Sequence, residues 1–142
     1  MLTVEAYLSQ HGAGHEAELT DELRANAQVT VDKANQLLAA FGEERGQRSG
    51  WRPQAVNDTT PNAAHHSRHI TCEAIDLDDP DKRLQEWCMA NLPTIASLGL
   101  WLEHPIATPD WLHCQIVPPP TGMRVFYPNA AYAARAREQG LA

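Results

Sequence analysis

The chain is short of several things that would assign it to a large class. It has only three cysteines, Cys72, Cys88 and Cys114, an odd count with no CxxC pair. That excludes a disulfide framework and suits a reducing compartment at synthesis. Basic residues are few: 11 Lys and Arg stand against 18 Asp and Glu, a formal charge of −7. Nucleic acid and anionic membranes bind through clustered Lys and Arg, so neither is expected as a partner. No apolar run approaches the roughly 20 residues of a spanning helix. Met1 to Gln10 lacks the basic start and apolar middle of a secretory signal, so cytoplasmic synthesis is expected. Internal repeats and low-complexity blocks are missing too. What is present is enough apolar content, 43 % of 142 residues, to build the core of one domain over residues 1–142.

Local patterns give the expected elements. Residues 1–45 read as helical: one helix over Leu2 to Ser9, a break at Gly12 and Gly14, a second over Glu18 to Gln28, and a third N-capped by Thr30. In that third helix Val31, Ala34, Leu37, Leu38 and Phe41 recur at helical spacing, and Gly42 is its stop. Gly46 to Ala64 carries loop chemistry. Strands are expected at Ala74–Leu77, Leu98–Glu103 and Trp111–Val117, with a last edge strand at Arg124–Tyr127. A helix from Asp78-Asp79-Pro80 to about Asn91 and a C-terminal helix in 129–142 complete the set. Helices and strands do not alternate regularly, so the expected class is α+β, with a small, mostly antiparallel sheet flanked by helices.

Histidine is the informative residue, with 7 copies. Three lie in His65-His66-Ser67-Arg68-His69, Asp76 follows seven positions after His69, and His113 sits on a late strand. Two imidazoles and a carboxylate suit a catalytic zinc with an open water position. A helix would separate His69 and Asp76 by about 10 Å. A straight strand would separate them further and point them to opposite faces. The chain must therefore bend at Thr71-Cys72-Glu73, with His69 ending a loop and Asp76 on the strand that follows. On the late strand Trp111, His113 and Gln115 share one face, and Leu112, Cys114 and Ile116 share the apolar one. Alternatives remain at this point. His65 and His66 are ligands or solvated loop residues, and Cys72 is a turn residue or a fourth ligand. His11 and His15 are four apart, which suits a metal on a helix, but Gly12 and Gly14 between them weaken that helix and favour a turn. The tryptophans at 51, 87, 101 and 111 are core or cleft wall.

Ser49-Gly50-Trp51-Arg52, then Asn57, then Ser67-x-His69 with Asp76, then Trp111-x-His113, resembles the zinc D-Ala-D-Ala carboxypeptidases and phage cell-wall peptidases, which share their fold with the Hedgehog signalling domain. The resemblance covers about Leu37 to Tyr127 and makes 46–128 the metal-site part. It implies a Hedgehog/DD-peptidase-like fold, with zinc on His69, Asp76 and His113. It also implies Arg52 as the cation polarising the scissile carbonyl, Ser67 as support for the first ligand or a substrate contact, and Trp111 as a further substrate contact. The implied activity is hydrolysis of a D-amino-acid-containing bond in a peptidoglycan stem peptide, by a protein released by lysis or carried in a virion. The alternative is a non-catalytic zinc-binding or peptide-binding module of phage origin. For the general base, Asp110 has the offset many relatives use, three before His113. Glu103 ends the preceding strand, and strand pairing would bring it to the same cleft. One position departs from the pattern: Cys72 stands where the family has Gly, and a positive φ there would strain it.

Overall fold

A computed structural model describes residues 1–64 and 66–141. His65 lies outside the described residues, and so does the choice between its two readings. Helices are α1 (Val4–Ser9), α2 (Asp21–Phe41), α3 (Gln54–Thr59), α4 (Arg83–Ala90), α5 (Leu92–Ser97) and α6 (Ala130–Glu138). Strands are β1 (Gln47–Ser49), β2 (Ala74–Asp78), β3 (Trp101–Glu103), β4 (Trp111–Gln115) and β5 (Val125–Phe126). The class is α+β, and the five strands form one sheet in the order β1-β2-β4-β3-β5. The sheet is mixed rather than mostly antiparallel in the simple sense expected. β1–β2, β2–β4 and β3–β4 are antiparallel, but β3–β5 is parallel, because the chain returns to the edge through the proline-rich 118–120 segment and not by a hairpin.

The core lies between one face of this sheet and the helices. Ile75 and Leu77 of β2, Leu112 and Cys114 of β4 and Leu102 of β3 meet Val31, Ala34, Leu37 and Leu38 of α2 and Leu84 and Cys88 of α4. The apolar stripe on α2 is therefore the one expected, but the helix boundaries are not. Residues 21–41 form a single helix, capped by Thr20, whose hydroxyl accepts from Leu23 N at 3.1 Å, and ended by Gly42 at φ 94°. Thr30 is not a cap. It is buried in mid-helix, and its hydroxyl donates to Cys72 O at 2.8 Å, which satisfies it without breaking the helix.

Other expected elements change too: β4 ends at Gln115 and β5 is confined to Val125–Phe126, and the larger changes have local reasons. Asp79 to Lys82 make a turn, so α4 starts at Arg83 rather than at Pro80. The buried Asp79 carboxylate accepts from Leu84 N at 3.0 Å and Gln85 N at 2.8 Å, doing the work of an N-cap. Gly99, at φ 69°, turns the chain between α5 and β3, which delays the strand to Trp101. The loop-like 46–64 stretch contains two short elements, β1 and α3, and the buried Asn57 donates to Ala64 O to close it.

Candidate metal centre

The second face of the sheet carries the cluster of candidate ligands. Antiparallel partners share a face, and Asp76 on β2 lies directly opposite His113 on β4. β3 pairs with β4 through Trp101↔Gln115 and Leu102↔Cys114, and one further step along this register sets Glu103 beside His113. Asp76, His113 and Glu103 thus form a row across three adjacent strands. Phe126, paired with Glu103 on β5, extends the row, with its ring 6.1 Å from that of His113.

His69 reaches the row from the turn that leads into β2. That turn is built as the odd spacing requires. Arg68 O accepts from Glu73 N, Ser67 Oγ accepts from His69 N, and Cys72 sits at φ 59°. Cys72 is thus a buried non-glycine residue in the left-handed region, and its thiol, pushed up to about 12 chiefly by burial, stays protonated. The Gly50–Arg52 segment clamps the turn from the other side. Arg52 N donates to His69 O at 3.1 Å, and His69 Nδ1 donates to Gly50 O at 2.8 Å. Gly50 must be glycine here, since a Cβ would stand 2.5 Å from Tyr7 O.

With Nδ1 so engaged, His69 Nε2 faces the cluster. It is buried, lies 3.3 Å from Asp76 Oδ1, and has no hydrogen-bond partner among the described residues. On the other side, His113 Nδ1 donates to the same Asp76 oxygen at 2.8 Å. The three candidate ligand atoms lie within 4.8 Å of one another. Two donors on a tetrahedral zinc are about 3.3 Å apart, given bonds of about 2.0–2.1 Å. An orphaned buried imidazole nitrogen, a carboxylate and a second imidazole thus fit a divalent metal.

Charges in the cluster are strongly coupled. Burial alone would raise the Asp76 carboxyl, but His69 and His113 outweigh it and hold it well below the usual carboxylate range. Burial likewise opposes charge on His113, yet the hydrogen bond to Asp76 and the nearby carboxylates of Asp76 and Glu103 raise it. His69 is lowered, first by burial and further by the charges of His113 and Arg52, despite Asp76. Glu103 is raised by burial, with His113 pulling the other way.

The remaining candidates divide by position. Arg52 is half-buried, and its Nε has no partner among the described residues. Its charge is felt at His69 and at Asp76. Ser67 supports the His69 turn. Trp111 lies on the row's face, with the Arg48 guanidinium 4.4 Å from its ring centre. Asp110 is exposed and lies 3.7 Å from Lys82 Nζ, in a surface ion pair. Neither Cys72 nor the exposed His66 belongs to the donor cluster found among the described residues. His15 pairs with Glu18 at 2.7 Å. Two groups were named from the sequence without a role in the site. His11, in the turn after α1, lies close enough for Arg52 and His69 to lower it, after burial. Gln115 Oε1 lies 3.0 Å from His113 Nε2. The alternation on β4 put Gln115 on the correct face, whereas the four-residue spacing of His11 and His15 pointed to a joint role that the turn and the His15–Glu18 pair do not give them. Comparison with family models, curated proteins and solved structures finds no match for this chain.

Proposed function

We propose that the protein is a zinc-dependent peptidase that hydrolyses a D-amino-acid-containing peptide bond of bacterial peptidoglycan. The observation that carries this reading is the row of Asp76, His113 and Glu103, with the orphaned His69 Nε2 turned towards Asp76. His69, Asp76 and His113 would hold the metal. When bound, zinc supplies Lewis acidity and a water acidified towards pH 7. Glu103, partly buried and raised in pKa, is suited to take the proton of the attacking water, because a base works best when its pKa approaches the operating pH. Arg52, half-buried with its charge felt at Asp76 and His69, is suited to receive the charge that develops on the carbonyl oxygen. The D-amino-acid substrate, and release by lysis or in a virion, rest on the resemblance of the SGWR, SxH-x6-D and WxH motifs.

The deciding experiment is digestion of purified peptidoglycan, with and without a chelator, with the released fragments identified by mass spectrometry. Chelator-sensitive release of a stem-peptide fragment is expected, and Glu103→Gln should abolish it with zinc still bound. Activity in Glu103→Gln together with an inactive Asp110→Asn would move the base to Asp110. A chain that binds zinc and cleaves no stem peptide is the non-catalytic zinc-binding module.

A further inference from the structure

We propose that Gln115 is the positioning residue that decides which ring nitrogen of His113 faces the metal. This rests on the metal-site reading above and adds a role to a side chain outside the ligand set. Gln115 lies two residues beyond His113 on β4, on the same face, and is 5 % exposed. Its amide has one workable orientation. The carbonyl of Val117 can only accept, so Gln115 Nε2 donates to it, at 2.9 Å, and Oε1 is turned back towards His113. There Oε1 accepts from His113 Nε2 at 3.0 Å. With Nε2 committed as a donor, Nδ1 is the nitrogen that faces Asp76, to which it donates, and the one that would take up an incoming metal once that proton is released.

His69 is held in the opposite sense: its Nδ1 is committed and its Nε2 faces the cluster. The two imidazoles therefore present different nitrogens to one point, and each choice is enforced by an acceptor on the far side of the ring. For His69 that acceptor is a main-chain carbonyl, beyond the reach of substitution. For His113 it is a side chain, which makes the arrangement testable. Outer acceptors of this kind typically change metal affinity by about 10–100-fold when removed.

The test compares wild type, Gln115→Met and Gln115→Glu by zinc titration against a chromophoric chelator, with long-range ¹H–¹⁵N spectra of the zinc-loaded proteins. Met keeps the volume of the buried side chain and removes the acceptor, so zinc affinity should fall by about 10–100-fold. Glu keeps an oxygen for the ring but loses the donor to Val117 O, so it should bind zinc more tightly than Gln115→Met without having to match wild type. Wild-type spectra should show His113 with its proton on Nε2 and zinc on Nδ1. Unchanged affinity in Gln115→Met, or zinc on Nε2 of His113 in wild type, overturns the role of Gln115 while leaving the metal site standing. A wild type that takes up no zinc overturns both. If Gln115→Met does not fold, the wild-type nitrogen assignment decides: a proton on Nε2 and zinc on Nδ1 of His113 support the proposal, and zinc on Nε2 overturns it.

Discussion

At the scale of single residues, the most informative position is Cys72. A non-glycine residue in the left-handed region costs roughly 1–2 kcal/mol, and Cys72 carries that cost at φ 59° while its thiol packs in the core. Cys72→Gly removes the strain and also the buried sulfur, so the two effects nearly cancel. The expected change in stability is within about 1 kcal/mol, with zinc retained, measured by denaturant unfolding and metal analysis. Cys72→Val is expected to destabilise by more than about 2 kcal/mol, since a β-branched residue tolerates this region poorly. Loss of zinc from Cys72→Gly would make the thiol a ligand after all. Arg52 offers a cleaner separation. Its main-chain N–H holds His69 O, and that bond survives truncation of the side chain. Arg52→Ala should therefore keep its zinc and lose about 10²–10³ in turnover, the usual cost of one oxyanion donor. A variant that loses zinc instead would make the guanidinium a structural group.

At the scale of elements, legibility followed pattern length. β4 was readable because five residues alternate, and the second half of α2 because its apolar stripe recurs over three turns, though the helix was read as two. β1 was not, since Gln47-Arg48-Ser49 is short and polar and becomes a strand only by pairing with β2. α3, six residues long, has the same difficulty. Thr30 misled because a hydroxyl that caps a helix in one context bonds a distant carbonyl in another, and Cys72 is 42 positions away. The site divides likewise. His69, Asp76 and His113 were legible from residue type, order and motif. The links that orient them were not, because Gly50 O and Gln115 Oε1 are matters of backbone path and rotamer. The Thr30 bond carries a prediction of its own. Thr30→Val leaves the α2 stripe intact but orphans Cys72 O, at a cost of about 1–3 kcal/mol. This bond anchors the turn that presents His69, so a measured loss below about 0.5 kcal/mol by denaturant unfolding would mean that the turn holds without it.

For the whole molecule, the cluster is a tie between parts of the chain that are far apart in sequence. Asp76 and His113 are 37 positions apart on neighbouring strands, and His69 belongs to a turn held by the Gly50–Arg52 segment and by α2 through Cys72 O. A ligand that binds only this folded arrangement stabilises all of it by mass action. Zinc at about 100 times its dissociation constant adds about 2.7 kcal/mol. A chain of this length gains about 2–4 °C in Tm for each kcal/mol, so zinc should raise Tm by roughly 5–10 °C and a chelator should reverse the rise. His113→Ala removes one of the donors and cuts the tie, so its Tm should no longer respond to zinc. Its metal-free Tm should also fall below that of metal-free wild type, because the hydrogen bond to Asp76 is lost and a buried carboxylate is left with one imidazole. An equal zinc response in wild type and His113→Ala would place the stabilising metal elsewhere on the surface. No response in wild type would leave Asp76 and His113 as a buried charge pair that holds β2 against β4 without a metal.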